Sequence, residues 1–401
     1  MAEKSAINIL VLDDEPLMLK LLGRILTNLG FTSVSTSANG HAALASLDGP
    51  GNHPDLILLD LNMPEMDGVE FVRHLVERRY AGSLILVSGE DERMLQTTVK
   101  LVQAHRLPVL GYLCKPVTPE GLWELLARWV PPAPDQPPPA TPKIYSADDV
   151  RAAIVNGELI NHYQPKVEAA TGRVMGVESL VRWQHPGDGM VFPGQFIGVA
   201  EAHGLIDDLT RVVLTGVLNQ ARRWQEMGLS LQVAVNVSMD NLASLDFVDF
   251  VTTQAAAAGV APEQVVLEVT ESQLMRDLRA PLEILARLGL RRFQLSIDDF
   301  GTGHSSLAQL RDIPFGELKI DRSFVHGAWN NSTARTMFEA SLNLARQLNM
   351  KAVAEGVEDQ DDWDFVRHTK CDFAQGYFIA RPMSAEVLPD WIARWQGQRR
   401  P

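Results

Sequence analysis

Residues 293–321 read FQLSIDDFGTGHSSLAQLRDIPFGELKID, an apolar run ending on Asp298 and Asp299, a glycine-bearing turn, and a second apolar run that carries Lys319. Runs of this kind recur at NHYQPKV, VMGVESLVRW, LQVAVNVS, VVLEVTE, KAVAEGV and DFAQGYF. Eight of them in about 260 residues predict a (β/α)8 TIM-like barrel. Polar residues fall near the end of one run after another: Glu178, Asn236, Glu268, Asp298, Asp299, Lys319, Glu355 and Gln375. In such a barrel these ends form one rim, so residues hundreds of positions apart share a pocket.

Upstream, residues 131–142 read PPAPDQPPPATP, with seven prolines in twelve residues. Lacking backbone donors, the stretch can neither continue a helix nor pair as a central strand, and it reads as a stiff polyproline II linker. It separates a domain over 5–130 from one over 143–398. The first domain alternates strand-like runs (INILVLDD, DLILLDLNM, SLILVSGE, VLGYLCKP) with helical periodicity at Leu17, Leu21, Leu22, Ile25 and Leu29. That is the α/β pattern of a doubly wound parallel sheet. Asp13, Asp14, Asp60, Ser88 and Lys115 follow or end its runs and converge on one sheet edge.

The 401 residues are 46% apolar and 21% charged, ordinary globular values that exclude whole-chain disorder, a collagen repeat or a disulfide-stapled miniprotein. A formal charge of −14, from 36 basic against 50 acidic residues, argues against broad binding to DNA or anionic lipid. Cys114 and Cys371 have no ligand spacing, so neither a zinc site nor a disulfide is expected. No run approaches the ~18–20 apolar residues of a membrane span, and the N-terminus has no secretory pattern. A cytoplasmic location without membrane insertion is the expectation.

Both acidic clusters call for cations, because adjacent carboxylates repel one another and an anionic substrate alike. Oxygen-only donors select Mg²⁺ or Mn²⁺ over zinc. In the barrel, the Asp298–Asp299 pair suits two ions, the usual arrangement for phosphoester cleavage, with a further Glu available as base and a Lys to orient the water.

The motifs DDEP, DLNMP, Ser88, Tyr112 three residues before Lys115, and KP resemble the receiver domain of two-component response regulators. The resemblance implies that Asp60 accepts a phosphoryl group from a sensor histidine kinase. It also implies that Asp13 and Asp14 hold one Mg²⁺, that Ser88 and Lys115 contact the phosphoryl oxygens, and that Tyr112 switches. Ser88 to Lys115 spans 27 positions, more than the family norm, so a remodelled fourth-helix face is expected.

YQPKV, ESLVRW, NVS, EVTES, DDFGTGHSSL, KIDRSFV, AEGVE and AQGYFIARPM resemble the EAL-type phosphodiesterase domain that opens cyclic di-GMP to linear pGpG. By that resemblance Glu178, Asn236, Glu268, Asp298 and Asp299 ligate two Mg²⁺ or Mn²⁺, Glu355 is the general base and Lys319 positions the water. Gln164, Leu180, Arg182 and Gln375 touch substrate, Glu271 anchors the loop after Asp299, and the domain forms a homodimer or higher homo-oligomer. The chain departs from the family at Ser179, where Ala is usual, and at His304, where Tyr is usual. The combined expectation is a phosphorylation-regulated response regulator with phosphodiesterase output. Two alternatives are a silent cyclic di-GMP receptor and a receiver acting mainly through signalling interactions.

Overall fold

The computed structural model describes residues 7–48, 53–78, 80–89, 92–105, 107–129, 143–271, 279–301 and 307–398, arranged as two compact units, Met1–Ala140 and Thr141–Pro401. The proline-rich 131–142 and His304 lie outside the described residues.

In the first unit the strands are β1 (Asn8–Leu12), β2 (Ser33–Ser37), β3 (Leu56–Asp60), β4 (Ser83–Ser88) and β5 (Val109–Cys114), in the order β2-β1-β3-β4-β5. All neighbouring pairs are parallel. Strand alternation divides the core between two faces. Ile9, Val11, Leu56 and Leu58 pack with Met18, Leu22, Leu122 and Leu125, whereas Leu10, Leu12, Ile57 and Leu59 pack with Ala43, Phe71, Leu75 and Leu95. A sheet covered on both faces needs near-continuous apolar strands, and LILL of β3 is buried throughout.

The second unit carries β6 (Leu159–Glu168), β7 (Val174–His185), β8 (Gly189–Val191), β9 (Gln232–Asn236), β10 (Val265–Thr270), β11 (Gln294–Phe300), β12 (Glu317–Ile320), β13 (Lys351–Ala354) and β14 (Phe373–Ala374). Their order is β6-β14-β13-β12-β11-β10-β9-β7-β8, and β6 also pairs with β7, which closes an eight-stranded barrel and leaves β8 outside it. The eight apolar runs are the eight barrel strands. The closure differs from a regular (β/α)8 repeat in one respect. β6 runs antiparallel to both β7 and β14, because only a short turn, with Gly172 at φ 73°, joins it to β7 where a crossover helix would otherwise stand.

Helices wrap the barrel. In Ile206–Glu226 the buried Leu209, Val213, Leu214, Val217, Leu218, Ala221 and Trp224 recur every three or four residues and meet the strands. Helix Ala147–Asn156 is bounded by a capping box between Ser146 and Asp149 and by left-handed Gly157. Lys166 and Glu317 form a buried ion pair at 2.6 Å, with Ser296 Oγ also donating to Glu317 at 3.3 Å. Among the described residues no helix is long and apolar enough to cross a membrane.

Candidate active site

Because the five strands of the first unit are parallel, their carboxyl ends share one edge. Asp60 ends β3, Ser88 ends β4, Asp13 follows β1 and Lys115 follows β5. Lys115 Nζ lies 2.9 Å from Asp13 Oδ2 and 2.8 Å from Asp60 Oδ2. Carboxylate oxygens of Asp13, Asp14 and Asp60 come within 4.8 Å of one another. Asp13, Asp60 and Ser88 are buried and Asp14 is half-buried. Burial pushes the Asp60 carboxyl above its ordinary value, against the opposing pull of Lys115 and the Asn62 amide. Tyr112, half-buried on β5, packs against the apolar layer that holds Leu59 and Leu86. All six residues picked out in this domain therefore lie on or just beyond the strands, and five of them at one edge.

In the barrel, strand register does the equivalent work. Gln164 pairs with Glu178, Asn236 with Glu268, and Thr270 with Asp298, so residues distant in sequence stand side by side. Lys319 is 1% exposed and reaches four carboxylates: Glu355 at 2.9 Å, Glu268 at 3.0 Å, Asp298 at 3.1 Å and Glu178 at 3.4 Å. Burial drives the Glu268 and Glu355 carboxyls well above their usual range, partly offset by Lys319. Burial alone would lower Lys319, but the surrounding Asp298, Glu178, Glu268 and Glu355 raise it well above its ordinary value. Asp299, in a left-handed conformation at φ 54°, is pushed up to about 6 by burial and by its neighbours Asp298 and Asp321.

An amide network orients the far side of the pocket. Asn236 Nδ2 donates to Glu178 Oε1 at 3.1 Å. Gln375 Nε2 donates to Glu178 Oε2 at 2.6 Å and to Gln164 Oε1 at 3.2 Å, while Gln164 Nε2 donates to the Ala380 carbonyl at 3.0 Å. Glu271, buried at the end of β10, accepts from the Gly301 amide at 2.7 Å and so holds the backbone just after Asp299. Leu180 and Asn236 line an adjacent cavity of about 250 Å³ with Pro193, Ile197 and Leu209. Arg182 is 8% exposed, and burial lowers its guanidinium from its ordinary value.

The donor set fits hard divalent cations. Oxygens of Glu178, Glu268 and Asp298 cluster within 4.8 Å, as do those of Asp298, Asp299 and Glu355, so Asp298 belongs to both groups. Five carboxyl groups share the site with Lys319, which touches four of them, so the site offers more acidic oxygens than one ammonium can balance and such ions would supply the missing positive charge. Two aromatic contacts at the rim were not legible in the sequence: Phe192 against the Arg182 guanidinium, 5.2 Å from the ring centroid, and Tyr377 against that of Arg381 at 4.3 Å. Phe192 belongs to no motif, and only the folded hairpin brings it back to Arg182, whereas Tyr377 and Arg381 both lie within AQGYFIARPM without the sequence showing that they touch.

A family model described as the EAL domain matches residues 147–382, and one described as the response regulator receiver domain matches residues 9–127. The cyclic di-GMP phosphodiesterase RocR of Pseudomonas aeruginosa is 33% identical over 96% of this chain and 99% of its own length. The bifunctional diguanylate cyclase/cyclic di-GMP phosphodiesterase MucR of the same organism is 42% identical over 60% of this chain, which spans 35% of that protein. Among solved structures, the PaMucR phosphodiesterase in complex with c-di-GMP aligns with 60% of this chain and 98% of its own at 42% identity and a TM-score of 0.57. With one match on either side of the proline-rich stretch and a relative similar over nearly the whole length, the chain belongs to the EAL domain family, here joined to a response regulator receiver domain.

Proposed function

We propose that the barrel hydrolyses one phosphodiester of cyclic di-GMP to linear pGpG, under the control of a phosphoryl group that a sensor histidine kinase places on Asp60. The observation that carries the reading is the sharing of Asp298 between two carboxylate groups built around Lys319. Glu178, Asn236, Glu268, Asp298 and Asp299 would hold two Mg²⁺ or Mn²⁺, whose charge acidifies a water and offsets that of the phosphodiester. Glu355 takes the proton of the attacking water as its oxygen bonds to phosphorus; the ester P–O bond breaks and the freed ribose oxygen takes up a proton from solvent to leave as a hydroxyl. Lys319 fixes the Glu355, Glu268 and Asp298 carboxylates from within the cluster and offsets charge as the transition state forms. Arg182 binds a phosphate oxygen, Gln164, Leu180 and Gln375 contact the remainder of the substrate, and Glu271 steadies the loop beyond Asp299.

In the receiver, Asp13 and Asp14 would hold one Mg²⁺, Ser88 and Lys115 would bind the phosphoryl oxygens, and Tyr112 would report the change. The receiver spans 5–130 and the phosphodiesterase 143–398, assembled as a homodimer or higher homo-oligomer. A cytoplasmic location agrees with two free thiols, exposed Cys114 and buried Cys371. The test is conversion of cyclic di-GMP to pGpG by the purified chain with Mg²⁺ or Mn²⁺, beside a chelator control and Glu355→Gln. Product that needs the ion and disappears in the variant is expected. Tight binding without product in either ion, with or without acetyl phosphate, would sink the enzymatic reading and leave a receptor.

A further inference from the structure

Arg182 has little to aim it within its own strand. Its Nη1 donates to the Val181 carbonyl at 2.8 Å, and the face of its guanidinium lies against Phe192. Phe192 is 55% exposed, too much for a core residue. It directly follows β8, a three-residue strand that among the described residues pairs only with β7 and has little stability of its own. Both ends of that strand are nevertheless tied to the first residues after the proline-rich stretch. At the turn, Asp188 accepts from Lys143 Nζ at 2.7 Å and from the Tyr145 hydroxyl at 2.9 Å. At the other end, Gln195 Oε1 accepts from the Phe192 amide at 3.3 Å while Gln195 Nε2 donates to the Lys143 carbonyl at 3.4 Å. The anchor is itself rigid, since the buried Tyr145 ring packs on Trp183, with centroids 4.5 Å apart, and on His185 at 5.3 Å.

We infer that Phe192 is a positioning residue that aims Arg182 at the substrate phosphate, and that residues 143–145, through Asp188 and Gln195, hold Phe192 in place. This rests on the phosphodiesterase reading above. A guanidinium recognises phosphate through a planar fork of donors, so a ring against one face limits the directions that fork can take. Phe192 does not touch the reacting atoms, so its contribution falls on substrate binding in ground and transition states alike. It therefore appears in KM with kcat unchanged. The geometry also ties the exit of the proline-rich stretch to the hairpin that steadies a substrate contact.

The experiment is steady-state cyclic di-GMP hydrolysis by the full chain in Mg²⁺, comparing wild type with Phe192→Ala, Phe192→Tyr, the double variant Lys143→Ala/Gln195→Ala, and the triple variant combining Phe192→Ala with that double. Loss of one half-exposed cation–π contact corresponds to a roughly fivefold rise in KM for Phe192→Ala, with kcat within about twofold of wild type. Phe192→Tyr keeps the wild-type KM. The double variant raises KM in the same direction, and the triple variant shows no more than the Phe192→Ala effect, because its anchor no longer has a ring to hold. An unchanged KM in Phe192→Ala, a Tyr variant that behaves like Ala, or additive effects in the triple variant would each overturn this inference alone. A wild type without turnover in either Mg²⁺ or Mn²⁺ would overturn both this inference and the phosphodiesterase reading.

Discussion

Replacing Lys319 by Met keeps most of the side-chain volume but removes the ammonium placed among Glu355, Glu268, Asp298 and Glu178. At an effective dielectric of about 20, each contact near 3 Å is an attraction of roughly 5 kcal/mol. Most of this gross attraction is offset by the cost of burying the charges, and breaking a buried cluster by removing one partner costs about 3–5 kcal/mol net. At ~2–4 °C per kcal/mol for a domain of this size, the barrel transition of the metal-free chain falls by roughly 6–20 °C. Its pH dependence follows from the carboxyls. Glu268 and Glu355 already titrate above the ordinary range because of burial, with Lys319 pulling them back, so its loss raises them further. An acid whose folded pKa is raised costs nothing below its unfolded value and progressively more as pH rises through the folded one. The gap between variant and wild type is therefore small near pH 5 and wide at pH 8. Scanning calorimetry of the full chain in EDTA reads it directly. A barrel midpoint within about 2 °C of wild type at pH 8, or a gap that widens towards pH 5, would refute the view that Lys319 restrains carboxylate repulsion.

Three further outcomes are expected. A Cβ on Gly376 would lie 2.2 Å from the Val357 carbonyl oxygen and 2.3 Å from its amide nitrogen, so Gly376→Ala forces apart the segments carrying Gln375 and Glu355. It should cost about 1–3 kcal/mol in urea unfolding and lower turnover at least tenfold, and wild-type values in both assays would contradict it. Mg²⁺ should raise the barrel melting temperature more at pH 8 than at pH 6, because Asp299, held up to about 6, and the raised Glu268 and Glu355 must lose protons to bind it; thermal shift at several pH values measures this. Asp60→Ala should abolish receiver labelling by acetyl phosphate, read by phosphate-affinity electrophoresis, and with it any effect of acetyl phosphate on cyclic di-GMP turnover. Retained labelling would move the acceptor elsewhere.

Much of the architecture was legible because period and strand ends are local properties. The apolar runs became barrel strands, Asp60 ends β3, and Glu268 and Asp298 lie within the last three residues of β10 and β11. Direction was not legible. NHYQPKV has the apolar pattern of its neighbours, yet β6 runs the opposite way, and side-chain alternation is the same in either sense. Sequence likewise placed Lys319 on the rim without showing that its ammonium would lie inside the carboxylate cluster, which depends on barrel radius and register.

By itself, the sequence determined which residues could carry chemistry: acidic oxygens and amides at strand ends, a lysine beside each cluster, and a proline-rich stretch that neither helix nor sheet can absorb. Tertiary structure alone decided which of them meet. Asp298 serves two carboxylate groups because Thr270–Asp298 and Ile297–Leu318 pairing sets neighbouring strands at fixed heights. Phe192 reaches Arg182 because a hairpin turn returns the chain, and Lys143 reaches Asp188 across 45 positions. Local propensity places a side chain on a face, but the distances over which charges and hydrogen bonds act are only a few ångströms. Closing the barrel brings residues from different strands within that range.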